Sequence, residues 1–113
     1  MLPKANRLKK KKDFEQVFKR GKGYKEDFLY LKINKNGLKI SRFGFVVGKK
    51  YSNKATLRNK IKRRLRETVK ILFPNIKKGV DVILIVLPGL NINDFWQLEE
   101  IVKKLFKKAK IIS

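Results

Sequence analysis

The fold is decided by residues 42–87, which read RFGFVVGKKYSNKATLRNKIKRRLRETVKILFPNIKKGVDVILIVL. An apolar strand pattern comes first, a long amphipathic helix pattern follows, and the aliphatic run 80–87 ends the stretch. Two strands of one sheet that are joined by a helix pair in parallel, because the helix returns the chain to the end where the first strand began. We therefore predict a strand–helix–strand unit with at least one parallel strand pair.

The helix of this unit is predicted to begin at Leu57, with Thr56 as its N-cap, and to end near Phe73, before Pro74. Its apolar residues recur at spacings of four and three, which is typical of one buried face. They are Leu57, Ile61, Leu65, Val69 and Leu72. The run 80–87 is aliphatic without alternation, which is typical of a strand covered on both faces.

A second helix is predicted near the N-terminus. Residues 1–12 are basic and are expected to form a frayed arm. Asp13 is the predicted N-cap, because Gln16 follows three residues later in a capping-box pattern. The helix is expected to end near Arg20, since Gly21 favours a stop.

Residues 27–33 alternate with a period of two, which predicts a strand. Its core side carries Leu29, Leu31 and Ile33, and its other side carries Phe28, Tyr30 and Lys32. Asn36-Gly37 predicts a hairpin turn, so the segment 38–49 is expected to return antiparallel, with a bend near Ser41.

A last amphipathic helix is predicted, with Asn93 or Asn91 as its N-cap. Its inward residues are predicted to be Phe95, Leu98, Val102, Leu105 and Ala109. The chain is thus predicted to be a single α+β domain over residues 1–113. Three helices surround one mixed sheet, in the order helix, strands, helix, strand, helix.

The composition limits the possible functions. The 113 residues hold 31 Lys and Arg against 9 Asp and Glu, a formal net charge of +22, which indicates a polyanionic partner. Cysteine and histidine are absent, so disulfides, thiolate metal sites and Ser/His or Cys/His nucleophilic pairs are excluded. The few carboxylates are scattered, so we expect neither a metal site nor catalytic residues in this chain. We expect a cytoplasmic protein, because no signal peptide or membrane span is recognisable.

The segment 42–70 is the first candidate site, because it carries eleven basic residues and one acid. Three interpretations compete: a solvated helix, a membrane-surface helix and a phosphate-binding helix. A membrane-surface helix needs its apolar face for lipid, whereas this face is expected to pack on the sheet. Cations along the remaining surface favour contact with RNA phosphates.

Aromatic residues form the second candidate site: Phe14, Phe18, Phe28 and Tyr30. Aromatic rings on a sheet or a flanking helix stack single-stranded bases, at about 1–3 kcal/mol per base. For Phe14 and Phe18, the alternative is that they dock their helix on the sheet. Tyr30 is predicted to lie off the core face.

Two motifs resemble the bacterial ribonuclease P protein family. The first combines Arg42-x-Gly44, the pair Lys49-Lys50, Ala55-x-x-Arg58-Asn59-Lys60 and Lys62-Arg63-x-x-Arg66-Glu67. The second runs from Lys12 to Gly21 as a basic residue followed by D-F-x-x-V-F-K-x-G. Lys60 stands where the family's motif has Arg, and Gly48 stands where Ser is frequent. The resemblance extends over nearly the whole chain.

The resemblance implies a ribosomal-protein-like fold in the order α-β-β-β-α-β-α, with a left-handed strand–helix–strand crossover. It also implies assembly with a large catalytic RNA. That RNA, with its own bound Mg²⁺, would remove the 5′ leader of precursor tRNA. The residues implied to bind the ribonuclease P RNA are Lys49, Lys50, Lys54, Arg58, Asn59, Lys60, Lys62, Arg63 and Arg66. A cleft between the sheet and the helix beginning near Leu57 would hold the single-stranded leader. Its implied residues are Lys12, Phe14, Phe18 and Tyr30.

Two other hypotheses remain at this point. A ribosomal or generic RNA-binding protein would share the charge but would not need the motifs around Arg58. A stand-alone nuclease is disfavoured, because histidine and convergent carboxylates are missing.

Overall fold

One mixed four-stranded sheet organises the residues that the structure describes. This structure is a computed structural model, and it describes residues 3–48, 53–88 and 95–112, without the side chains of Phe95 and Trp96. The strands are β1 (Lys22–Glu26), β2 (Leu29–Lys35), β3 (Arg42–Val47) and β4 (Val80–Val86), in the spatial order β1-β2-β4-β3. The helices are α1 (Lys11–Arg20), α2 (Ala55–Leu72) and α3 (Phe95–Lys108), and short 3-10 turns cover Lys4–Asn6 and Phe73–Asn75. The predicted α+β class and order of elements are confirmed.

The predicted strand–helix–strand unit is formed by β3, α2 and β4. β3 pairs with β4 in parallel, whereas β2 pairs with β4 and with β1 antiparallel. β4 is central and almost wholly buried, as its aliphatic sequence predicts. The handedness of this crossover stays a prediction.

The hairpin predicted at Asn36-Gly37 is wrong. The segment 38–41 is not a strand, and β4 lies between β2 and β3. Gly37 does take a turn conformation, with φ 71°, and the Asn36 Oδ1 accepts the Leu38 N–H at 2.7 Å. The pairing differs because β4 has apolar residues on both faces and is therefore buried most completely between two other strands.

The hairpin in the structure lies nine residues earlier in the chain. β1 and β2 pair from Lys22↔Ile33 to Glu26↔Leu29, and the turn is Asp27-Phe28, with Asp27 at φ 50°. The position of β1 was not predicted from its residues, because most of them are polar and only Tyr24 packs against the core.

The predicted N-caps are also wrong. α1 begins at Lys11 and α2 at Ala55, and neither N-cap residue makes a side-chain capping bond. Asp13 and Thr56 therefore lie inside the first turns, and Asp13 is used in an ion pair described below. Asn91 and Asn93 lie outside the described residues.

The two faces of the sheet are covered very differently. The closed face carries Leu31, Phe43 and Leu84, and it packs on α2 and α3 in one large cluster. The predicted inward residues Ile61, Leu65, Val69, Leu72, Leu98, Val102 and Leu105 are buried there, and Leu57 and Ala109 are partly buried. The open face carries Tyr30, Val46 and Ile85. Its buried cluster is small: Leu8, Val17 and Ile83, with Phe14, Val46 and Ile85 packed partly against it.

Part of the predicted frayed arm is docked on the sheet. Arg7 forms an isolated parallel bridge with Phe43, the Leu8 N–H donates to the Phe43 carbonyl at 2.9 Å, and Leu8 is 4% exposed. These contacts cover the outer edge of β3, which would otherwise present unpaired backbone groups. Among the described helices, none is long and apolar enough to cross a membrane.

Candidate nucleic-acid interface

α1 is fixed at its first turn by Arg42. The Arg42 guanidinium donates to both carboxylate oxygens of Asp81, at 2.8 and 2.7 Å, and to Asp13 Oδ2 at 3.2 Å. Asn36 Nδ2 donates to the same Asp81 at 2.8 Å. The hydrogen bond with Asp81 raises the pKa of Arg42 above its ordinary value. Arg42 therefore ties the start of α1 to the sheet, although the sequence places it among the cations of a phosphate-binding segment.

The end of α1 is fixed by a lysine and by a close backbone approach. Lys32 Nζ lies 3.3 Å from the Gly21 carbonyl oxygen, where it complements the negative end of the helix dipole. A Cβ atom on Gly21 would lie 2.8 Å from the Ile33 carbonyl oxygen, so only glycine permits this approach of α1 to β2. With both ends held, the side chains of α1 have defined positions over the open face.

The open face has an aromatic and aliphatic floor that α1 covers only in part. Tyr30 pairs across strands with Ile85, and Ile85 pairs with Val46. All three side chains are partly exposed, so they form a continuous apolar row across β2, β4 and β3. Leu29 and Leu31 are buried in the closed-face core, which places Tyr30 off the core face, as the alternation predicts.

Two glycines make room for the aromatic rings. A Cβ atom on Gly44 would lie 2.5 Å from Phe14 Cζ, so the Phe14 ring lies directly on the backbone of β3. A Cβ atom on Gly23 would lie 1.8 Å from the Tyr30 hydroxyl oxygen, so Tyr30 lies across β1 in the same way. The two rings thus lie on opposite sides of the floor.

The remaining predicted cleft residues lie on α1 and in the hairpin turn. Val17 is fully buried and docks α1, whereas Phe18 is 44% exposed, so core packing does not account for Phe18. Lys12 is exposed in the first turn of α1. Phe28 is 43% exposed in the β1–β2 turn.

The cations of α2 surround its buried apolar stripe. Lys54, Asn59, Lys60 and Arg63 are exposed, and Arg58, Lys62 and Arg66 are partly exposed. Arg64 lies 3.9 Å from the single acid of the helix, Glu67. Lys49 and Lys50 lie outside the described residues. Because the apolar stripe packs on the closed face, a membrane-surface role for α2 is disfavoured.

A pocket of about 260 Å³ joins α2 to the N-terminal segment at the outer edge of β3. We call it the edge pocket. It is lined by Arg7, Leu8, Lys9, Phe14, Phe43, Gly44, Phe45, Lys62 and Arg66. Four cations surround an apolar centre, and no acid is found among the described lining residues. Phosphate groups and apolar base surfaces are therefore both suitable occupants.

The predicted leader-cleft residues do not all lie beside α2. Phe14 does line the edge pocket together with Lys62 and Arg66 of α2, but Phe18 and Tyr30 do not. They lie on the open face, where the bordering helix is α1, because α2 covers the closed face. Arg7 and Lys9 also line the edge pocket, although neither was predicted as a site residue. Leu8, an apolar residue inside a basic arm, was the signal that this segment docks.

The comparisons with known proteins agree on one family. The family model described as Ribonuclease P matches residues 2–110. The ribonuclease P protein component of a Synechocystis strain is 41% identical, with 98% of this chain and 90% of the relative covered. That of a Clostridium botulinum strain is 38% identical, with 96% and 97% covered.

Solved structures give the same result. The RNase P protein from Staphylococcus aureus has a TM-score of 0.88 at 31% identity, with 97% of this chain and all of that chain covered. The RNase P protein from Thermotoga maritima has a TM-score of 0.82 at 37% identity, with 90% and 96% covered. The chain therefore belongs to the bacterial ribonuclease P protein family.

Proposed function

We propose that this chain is the protein subunit of a ribonuclease P holoenzyme and that it has two RNA-binding surfaces. The cations of α2 bind the ribonuclease P RNA, and the open face with α1 binds the single-stranded 5′ leader of precursor tRNA. Family membership supports the subunit role. The arrangement of cations and aromatic rings supports the two surfaces.

The edge pocket is the observation that carries this proposal. Lys62 and Arg66 of α2 and Phe14 of α1 line one pocket, so the two candidate sites meet at the outer edge of β3. A single-stranded leader that leaves the open face past Phe14 would enter the positive potential of α2 at once. Electrostatic attraction would then hold the phosphates while the aromatic floor contacts the bases.

The open face suits single strands better than duplexes. Its contacts would come from Tyr30, Phe14 and Phe18, whose rings stack on unpaired bases regardless of their identity. Bases inside a duplex are already stacked on each other, so these rings would gain little from them. The leader would thus be bound with weak sequence preference.

The chemical step is proposed to occur on the RNA partner. The chain has no histidine and no cysteine, which removes the usual general base and nucleophile. Mg²⁺ held by the RNA would supply the metal-assisted hydrolysis. This chain would contribute by positioning the substrate and by neutralising the charge of RNA phosphates.

Reconstitution tests the proposal. The full chain is added to a bacterial ribonuclease P RNA, and cleavage of precursor tRNA is measured at a Mg²⁺ concentration where the RNA alone is slow. We expect the chain to restore cleavage. The double variant Arg58→Ala/Arg66→Ala should restore it poorly, whereas the charge-matched control Lys39→Ala/Lys104→Ala should act like the unchanged chain. No stimulation by the unchanged chain with any such RNA would refute the proposal.

A further inference from the structure

A second basic pocket lies far from the first turn of α2, at the end of the sheet where β4 begins. We call it the strand-end pocket. It measures about 530 Å³ and is lined by Arg20, Lys22, Tyr24, Ile33, Asn34, Lys35, Lys77, Val80, Ala109, Lys110 and Ile111. The helix α2 has 18 residues and is therefore about 27 Å long. It begins after β3 and returns to the start of β4, so Arg58 lies at the other end of that length.

Five cations converge on this pocket from five different segments. Arg20 ends α1, Lys22 begins β1, Lys35 ends β2, Lys77 precedes β4, and Lys110 follows α3. All five are exposed, and the lining that the structure describes contains no acid. Like charges brought together in this way repel one another, which an anionic occupant would relieve.

The floor of the pocket distinguishes it from an ordinary solvated group of lysines. Val80 and Ile111 are buried, and Tyr24 and Ile33 are partly exposed. This floor belongs to the closed-face cluster, next to the end of α3. The Lys77 N–H donates to the Ile111 carbonyl at 2.7 Å, which joins two of the converging segments. The pocket thus combines an apolar, partly aromatic floor with a cationic rim.

We infer that the strand-end pocket binds one or two nucleotides of an RNA strand, as an RNA contact separate from α2 and from the open face. The rim would hold phosphates, and Tyr24 and Ile33 would contact the ribose or base. The volume lies in the range of pockets that hold small-molecule ligands. This assignment rests on the proposed function only for the choice of RNA as the polyanion. An acidic peptide would use the rim but would have less use for the aromatic floor.

The test compares two triple variants of the full chain that lose equal charge. The pocket variant is Lys22→Ala/Lys35→Ala/Lys77→Ala. The control is Lys39→Ala/Lys104→Ala/Lys107→Ala. These three lysines do not line the strand-end pocket and do not belong to α2. The probe is a uridine decamer, and its dissociation constant is measured over a range of salt concentrations. Circular dichroism establishes that both variants are folded.

We expect the pocket variant to bind the decamer about tenfold more weakly than the control. We also expect its log–log salt slope to be lower by about 0.7 for each lost phosphate contact. The same ordering should hold when Arg58→Ala/Arg66→Ala is added to both variants, since the two surfaces are separate. Equal effects of the two triple variants would show a general charge effect and overturn the inference.

A second probe and a second assay separate the alternatives. If a polyglutamate peptide loses as much affinity as the decamer in the pocket variant, RNA is the wrong occupant and the assignment is overturned. Stimulation of ribonuclease P RNA by the unchanged chain is measured in parallel. Failure of that stimulation would refute the proposed function, whereas normal decamer binding by the pocket variant would refute this inference alone.

Discussion

The two faces of one sheet have opposite roles in this protein. The closed face packs on two helices, and most of its apolar side chains are fully buried. The open face is covered by a single ten-residue helix, and Tyr30, Ile85 and Val46 remain partly exposed. The alternation of side chains along each strand makes this division possible, because neighbouring residues point to opposite faces of the sheet. A small domain can thereby keep a complete core and still leave an apolar surface exposed to solvent.

The largest effect is expected from adjacent residues of β4. Leu84 is fully buried on the closed face, whereas Ile85 is partly exposed on the open face. Leu84→Ala should lower the free energy of unfolding by about 3–4 kcal/mol, because a cavity is left in the core. Ile85→Ala should lower the free energy of unfolding by less than half as much as Leu84→Ala, since solvent already reaches the Ile85 side chain. Urea denaturation measures both, and equal losses would contradict the division into closed and open faces.

The next effect concerns the attachment of α1. Arg42→Ala leaves the Asp81 carboxylate, which is 5% exposed, with Asn36 as its only side-chain donor among the described residues. The free energy of unfolding should fall by about 2–3 kcal/mol, because an uncompensated buried charge remains. Arg42→Lys should restore only part of the lost stability, since an ammonium cannot reproduce the two parallel hydrogen bonds from the guanidinium to Asp81.

Arg42→Ala also tests whether α1, on the open face, depends on Arg42 more than α3 does on the closed face. If α1 is held over the open face by Arg42, amide hydrogen exchange in Arg42→Ala should increase in α1 more than in α3. Equal increases in both helices would contradict a local role of the Arg42–Asp13 contact.

A smaller effect is expected at the edge pocket. Arg66 of α2 lines it, whereas Lys70, one turn later on α2, does not. Arg66→Ala should lower the log–log salt slope of binding to the ribonuclease P RNA by about 0.9 if it contacts a duplex phosphate. Lys70→Ala is the matched control from the same helix. An unchanged slope for Arg66→Ala would show that this guanidinium does not contact phosphate.

The smallest effect concerns β1 and α3 on the closed-face side. Lys108 Nζ donates to the Glu26 carboxylate and, at 3.0 Å, to the Lys25 carbonyl. The hydrogen bond with Lys108 lowers the pKa of Glu26 below its ordinary value of 4.5. The stabilisation is therefore present above that value and is lost as the pH falls through the lowered pKa. The stability difference between the unchanged chain and Glu26→Gln should shrink below about pH 4.5, and a constant difference from pH 7 to pH 3 would contradict this pairing.

Local patterns were sufficient to predict the closed face. The stripe from Ile61 to Leu72 and the aliphatic β4 are periodic within one element, so their burial follows from the sequence. Strand order was not predictable in this way. Asn36-Gly37 is a strong turn signal, but β4 competes for the same edge of β2 and is far away in the chain. The polar β1 gave no apolar alternation to detect.

For the candidate sites too, local patterns predicted the direction of single side chains but not contacts between distant segments. Tyr30 was placed off the core face by alternation alone, because its neighbours Leu29 and Leu31 are both apolar. The role of Arg42 was missed, since its partners Asp13 and Asp81 lie 29 and 39 residues away. Both basic pockets are built from separate segments, so no single stretch of sequence contains their pattern.

The most direct test of the open face as the leader site uses Tyr30→Ala in the reconstituted holoenzyme. Dissociation constants are measured for precursor tRNA with a single-stranded leader and for mature tRNA, with Leu38→Ala as the control for loss of an exposed apolar side chain. We predict that Tyr30→Ala weakens binding of the leader-bearing substrate about tenfold, as expected for the loss of one stacked base, and leaves mature tRNA unaffected. Equal weakening of both substrates, or the same loss in Leu38→Ala, would contradict the account.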